Sequence, residues 1–212
     1  FLEQCWMALE GAGYAGKSVW GSRCGVIVGL SGNEYQDKVH GQLSADQLSH
    51  AMLGNFASLT ASRIAYFLNL RGPTITVDTA CSSSLVAVHL ACQSLRNGEA
   101  DVMLAGGVTL YLTPEPLGVM RHVGMLSPSG RCKAFSEDAD GIAIGEGVGV
   151  VLLKPLSRAL ADGDVIHGVI RGSGTNQDGR TNGITAPSLD AQKLLAMDVY
   201  EKSGVNPGDA QL

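Results

Sequence analysis

The run Gly25-Val26-Ile27-Val28-Gly29 is short, β-branched and apolar on both faces. A strand of that kind needs cover on both sides, as in a parallel sheet sandwiched between helices. Its surroundings supply that cover. The opening residues Phe1 to Glu10 carry apolar side chains at positions 2, 5, 6 and 9, a helical face ended by Gly11, which assigns Cys5 and Trp6 to the core. After a polar connection from Ser31 to Asp46, a long helical pattern runs from about Gln47 to Leu70. A β-branched strand, Thr74 to Val77, follows Gly72-Pro73. Next come a helix from Ser82 to Leu95, stopped by Asn97-Gly98, and a strand from Asp101 to Ala105. This βαβ rhythm predicts the α/β class.

Beyond Gly106-Gly107 the stretch from Tyr111 to Asp140 reads as irregular, rich in Gly, Pro, Ser and Met, and long enough to carry function or contacts. Val148 to Lys154 reads as a buried strand, Leu156 to Asp162 as a short helix and Val165 to Arg171 as a strand. A last helix spans Ser188 to Ser203, with Gly204 as its stop and Pro207 shortly after. Gly168-Val169-Ile170-Arg171-Gly172 loosely repeats the Gly25 to Gly29 run.

Charge and composition remove several functional classes. The net charge is -5 and offers no basic surface for nucleic acid, and no apolar run reaches the roughly 20 residues of a membrane span. No signal peptide opens the chain, so the cytoplasm is the expected compartment. Five widely spaced cysteines fit reduced thiols better than a disulfide scaffold or a CxxC metal site. The histidines at 40, 50, 89, 122 and 167 form no HxxxH pair, so no metal site is expected. Gly11-Ala12-Gly13-Tyr14-Ala15-Gly16-Lys17-Ser18 satisfies both GxxxxGK[ST] and GxGxxG as a string. Phosphate binding by such loops needs a strand before and a helix after, and here the order is reversed; no nucleotide site is assigned.

The richest chemistry lies in Thr76-Val77-Asp78-Thr79-Ala80-Cys81-Ser82-Ser83-Ser84-Leu85, where a cysteine stands between a strand-like and a helix-like run. At a helix start, free N–H groups and the positive end of the helix dipole favour thiolate, and small neighbours leave the sulfur reachable. The competing reading, a small buried hydrophobe, is the usual fate of a free cysteine.

The Cys81 block resembles the active-site segment of ketosynthases, the condensing domains of modular type I polyketide synthases. The likeness continues through Gly54-Asn55, Ser62-Arg63-Ile64-Ala65-Tyr66, Arg71-Gly72-Pro73, Leu104-Ala105-Gly106-Gly107-Val108, Gly124-Met125-Leu126-Ser127-Pro128, Gly130-Arg131-Cys132-Lys133, Gly145-Glu146-Gly147-Val148-Gly149 and Asn176-Gln177-Asp178-Gly179. The resemblance implies a thiolase-like layered αβαβα fold, of which residues 1–212 hold the first half and the start of the second. It implies a β-ketoacyl synthase: Cys81 takes an acyl group from the phosphopantetheine of an acyl carrier protein, and a decarboxylated malonyl unit then attacks the acyl-cysteine. The Cys81 backbone N–H would help hold the oxyanion. Two catalytic histidines are implied beyond Leu212. With a start that lacks methionine inside a helical block, this suggests a piece of a larger polypeptide, unable to condense alone. Asp140 and Glu146 match family positions as supporting or structural residues. Ser136 and Ile142-Ala143-Ile144 depart from the usual pattern, which bears on substrate preference. Gly183-Ile184-Thr185-Ala186-Pro187 and Asp198-Val199-Tyr200 resemble assembly lines with a separate acyltransferase. Two alternatives stay open: a non-elongating acyl-binding condensing domain, and a fatty-acid β-ketoacyl-carrier-protein synthase. The implied partners are the carrier protein, adjacent synthase domains and a second copy in a homodimer, with no cofactor bound by the domain itself.

Overall fold

A computed structural model describes residues 1–32, 34–39 and 43–210. The chain forms two compact units, Phe1–Leu153 and Lys154–Leu212. In the first, four strands lie in the order β2-β1-β3-β4, where β1 is Cys24–Gly29, β2 Thr74–Val77, β3 Val102–Thr109 and β4 Gly147–Leu153. β1 runs parallel to both β2 and β3, as a βαβ rhythm requires, while β4 pairs antiparallel with β3.

Helices cover both faces of β1, which explains why every one of its residues is buried. On one face Cys24, Val26 and Val28 meet Cys5 and Leu9 of α1 (Leu2–Gly11) and Ala61 and Ile64 of α4 (Ser58–Phe67). On the other, Ile27 and Met103 meet Ala87 and Ala91 of α5 (Ser83–Arg96). Trp6 only flanks the first cluster, short of the core position expected for it.

Glycine decides how close α5 comes. A Cβ on Gly29 would stand 2.5 Å from the Ser83 carbonyl carbon and 2.6 Å from the Ser84 nitrogen, and one on Gly107 2.7 Å from the Ser84 Cβ. The first turn of α5 therefore rests on bare backbone at the ends of two neighbouring strands.

Several elements differ from the sequence reading. The long helix splits into α3 (Ala45–Asn55) and α4. Gly54-Asn55 is a poor helix interior, and the Asn55 side chain donates back to the Ala51 carbonyl at 2.6 Å, competing with the backbone. The polar connection contains α2 (Glu34–Val39), and the irregular stretch contains α6 (Glu115–His122). Pro at its start, Glu115 in its first turn and Arg121 and His122 in its last are helix signals that the surrounding Gly and Pro had masked. β4 is not buried. It closes the sheet order, so Val150 and Leu152 pack inward while Val148 and Val151 remain 39% and 45% exposed.

The second unit contains α7 (Leu156–Asp162), ended by Gly163 at φ +72°, and α8 (Leu189–Ser203). The Ser188 hydroxyl caps α8 by accepting from the Ala191 N–H at 3.2 Å, and Gly204 stops it in the left-handed conformation. Residues 165–171 form no strand, and the repeat of the Gly25 run is one of sequence alone: a strand needs a ladder, and none of the described residues pairs with this segment.

Because α5 sits on Gly29 without room for a methyl group, Gly29→Ala is expected to cost about 1–3 kcal/mol by overpacking. A urea titration monitored by circular dichroism checks this; an unchanged midpoint would mean that the helix shifts freely.

Candidate active site

Cys81 lies four residues past the end of β2, at the carboxyl edge of the three parallel strands. Ligands of α/β sheets gather at that edge. The thiol is exposed and occupies the middle of a single 3-10 turn, Ala80–Ser82, with α5 beginning at Ser83. The cysteine thus stands one short turn ahead of the helix that the sequence reading began at Ser82.

The turn is strained and heavily tied. Ala80 has φ +54°, a conformation that costs a residue with a Cβ about 1–3 kcal/mol and persists only where neighbours enforce it. The Asp78 carboxylate accepts from the Ala80 N–H at 2.9 Å. The Ser83 hydroxyl accepts from the Thr79 N–H at 2.8 Å and donates to the Ala80 carbonyl at 2.7 Å. Ser82 donates to the Thr79 carbonyl at 2.8 Å and reaches the Thr79 hydroxyl at 2.9 Å. Cys81 is held on both sides by bonds that bypass its own side chain.

The other cysteines differ in kind. Burial pushes the Cys5 and Cys24 thiols up to about 12 and raises that of Cys92. Cys132 is exposed, and its sulfur accepts from the Ala143 N–H at 3.1 Å.

Asp140 and Glu146 are anchored by partners outside the cysteine turn. One Asp140 oxygen accepts from the Ser127 hydroxyl at 2.7 Å and the other meets the Lys133 ammonium at 2.6 Å. Lys133, and then Ser127, hold the Asp140 carboxyl below the usual aspartate range. This pins together the strands of a loop already bridged at Leu126 and Ile142. Glu146 accepts from the Tyr111 N–H at 2.7 Å. Glu34, which carried no signal in the sequence, accepts from the N–H groups of Leu112 and Thr113 at 2.8 and 2.9 Å and from the Thr113 hydroxyl at 3.1 Å. Two carboxylates thereby fix the segment leaving β3. Asp78 was legible in principle, since an Asp two residues before a strained position is an Asx-turn pattern. Ser83 gave no local sign.

His50, His89 and His122 lie on α3, α5 and α6, His167 lies in the second unit, and His40 falls outside the described residues. Among the described residues no three His, Cys, Asp or Glu converge as a metal site. The Gly11–Ser18 stretch begins at the last residue of α1 and is followed by turns that lead to β1, so no helix stands after its glycines. Asn176 donates to the Ala191 carbonyl and Asp178 accepts from the Ser188 N–H, which ties the Asn176-Gln177-Asp178 loop to the start of α8.

Residues 1–159 match the family description "Beta-ketoacyl synthase, N-terminal domain", and residues 167–212 match "Beta-ketoacyl synthase, C-terminal domain". The chain belongs to the beta-ketoacyl synthase family. This ketosynthase sequence is 51% identical over 207 residues to polyketide synthase PksL of Bacillus subtilis (strain 168), covering 98% of the chain and 4% of that protein. It is 48% identical over 206 residues to the highly reducing polyketide synthase ausV of Aspergillus calidoustus, covering 97% of the chain and 8% of that protein. Among solved structures, the ketosynthase from module 6 of the bacillaene synthase of Bacillus subtilis 168 superposes with a TM-score of 0.89 at 50% identity, covering 98% of the chain and 35% of that structure. The ketosynthase thus has the thiolase-like fold of these domains and spans about a third of their length. Among its described residues no helix is long and apolar enough to cross a membrane.

Two outcomes test this account. Iodoacetamide at pH 8 is expected to label Cys81 and Cys132 in the folded protein and to reach Cys5 and Cys24 only after denaturation, as read by peptide mass mapping; early labelling of Cys5 would contradict its burial. The Asp140 carboxyl is lowered in the folded state, so its tie contributes above the ordinary aspartate value of about 3.9 and is lost as pH falls through the lower folded value. Protection of the Ser127 and Ile142 amides, measured against the intrinsic exchange rate at each pH, should therefore fall at low pH, and at neutral pH in Asp140→Asn. Equal protection in that variant would remove the role.

Proposed function

We propose that Cys81 is the acyl-accepting nucleophile of a ketosynthase that extends a polyketide chain by decarboxylative condensation. The observation that carries this is the exposed Cys81 thiol in an enforced turn, at the head of α5 and on the carboxyl edge of the sheet. In loading, the Cys81 thiolate attacks the carbonyl carbon of an acyl thioester. The oxyanion that forms faces the N-terminal end of α5, where backbone N–H groups and the helix dipole lower its energy. Collapse forms acyl-Cys81 and breaks the old C–S bond, and the pantetheine thiolate leaves and takes up a proton. A thioester suits the second half, because a thiolate leaves more readily than an alkoxide would when the enolate from a decarboxylated malonyl group attacks. The polyketide synthase names of the relatives support this condensing step over fatty-acid synthesis.

On the same reading the acyl and malonyl groups arrive on carrier-protein phosphopantetheine and neighbouring synthase domains are partners. The functional unit is then a homodimer in the cytoplasm. The Gly183 to Pro187 and Asp198 to Tyr200 motifs support a separately supplied acyltransferase.

The test uses the ketosynthase polypeptide carrying this sequence, an N-acetylcysteamine acyl thioester, and mass mapping of the adduct. Acylation is expected on Cys81, lost in Cys81→Ala and kept in Cys132→Ser. An adduct that survives Cys81→Ala on another cysteine overturns the assignment. Loading without extension when malonyl carrier protein is added would assign the non-elongating role instead.

A further inference from the structure

Between Thr79 and Ser83 the backbone makes a bend that its own residues do not favour. Ala80 carries a methyl group yet sits at φ +54°, and no residue of the turn is a glycine. Something must enforce that conformation. Ser83 has the right placement. It is only 5% exposed, its backbone is pressed onto Gly29 so that it cannot drift, and its hydroxyl spans Cys81 from the helix side to make two bonds on the strand side at once, accepting from Thr79 N–H and donating to Ala80 C=O. A hydroxyl is the smallest side chain that can donate and accept together. Ser83 is the first residue of α5, directly after the N-cap Ser82, a place where a hydroxyl would be expected to serve the amides of its own helix. Here the hydroxyl instead reaches backward to the strand side of the turn.

We infer that Ser83 is the positioning residue of the nucleophile: by closing the Thr79–Ala80 backbone it holds Ala80 at positive φ and so sets where the Cys81 thiol and N–H point. This rests on the reading of Cys81 as the acyl acceptor. Ser83 touches no substrate. Its effect is confined to reactions that need orientation, which separates it from a residue needed only for folding. Acyl transfer needs thiolate and oxyanion donors in register with the carbonyl, whereas alkylation by iodoacetamide forms no oxyanion and needs only an accessible thiolate.

The experiment compares wild type, Ser83→Ala, Ser83→Thr and the double variant Ala80→Gly/Ser83→Ala, each in the ketosynthase polypeptide carrying this sequence. Two rates are measured at the Cys81 peptide by mass spectrometry: acylation by an N-acetylcysteamine thioester and alkylation by iodoacetamide. Ser83→Ala is expected to slow acylation about tenfold or more while alkylation changes by less than about threefold, a split in keeping with the loss of two hydrogen bonds. Ser83→Thr, which keeps the hydroxyl, should restore the acylation rate. The double variant should recover part of it, because glycine adopts positive φ without a tether; it also serves as the folded comparison if Ser83→Ala alone is unstable. Equal losses in both rates, or unchanged acylation in Ser83→Ala, overturn the inference. Failure of the wild type to acylate at Cys81 would instead refute the nucleophile itself, with Ser83 then left no reaction to position, and the two failures are told apart by that control.

Discussion

The contact on which the rest depends is the seating of the first turn of α5 on the bare backbone of Gly29 and Gly107. Core packing on the α5 side, by Ala87, Ala91, Met103 and Ile27, uses small residues near the helix and larger ones on the sheet, so the helix axis lies close to the strands. Dispersion contacts fall off steeply with distance, and a helix held this near gains many of them while losing the freedom to slide. The head of that helix is also where the Cys81 turn attaches. Rigidity in the core is carried directly into the site, with no intervening loop to absorb it.

Much of this was legible in the sequence where the signal was local. Thr74 to Val77 and Leu156 to Asp162 have the same limits in sequence and structure, because β-branching and flanking breakers operate within a few residues. Ser188 and Gly204 mark α8 by cap chemistry alone. The exposure of β4 and the missing strand at 165–171 were not legible, since both depend on which strands are neighbours, and periodicity carries no information about pairing. The conformation of Ala80 was hidden for another reason. Positive φ is ordinarily announced by Gly, Asn or Asp at the position itself, and here the determinants, Asp78 and Ser83, lie to either side.

Three carboxylates of the first unit share one task. Asp140 in its loop, Glu146 just before β4 and Glu34 at the start of α2 each take N–H or hydroxyl donors from segments that have no regular partner of their own. Among them only Asp140 also meets an ammonium group through a described ion pair. A carboxylate suits this use because its two oxygens accept several bonds at once and strengthen each by charge. The loops beyond β3 are ordered by anchoring at points, as a tent is by pegs, and not by a continuous hydrophobic underside: α6 has no buried residue.

β2 is the end strand of its sheet and only four residues long, and Cys81 is the fourth residue beyond it. An end strand has one row of backbone groups with no ladder beside it. The Cys81 turn and that open edge are therefore in mechanical series, joined by a short stretch of chain. Any force or added hydrogen bonding that straightens, twists or shifts β2 is transmitted to the cysteine as a lever arm transmits a push at its handle.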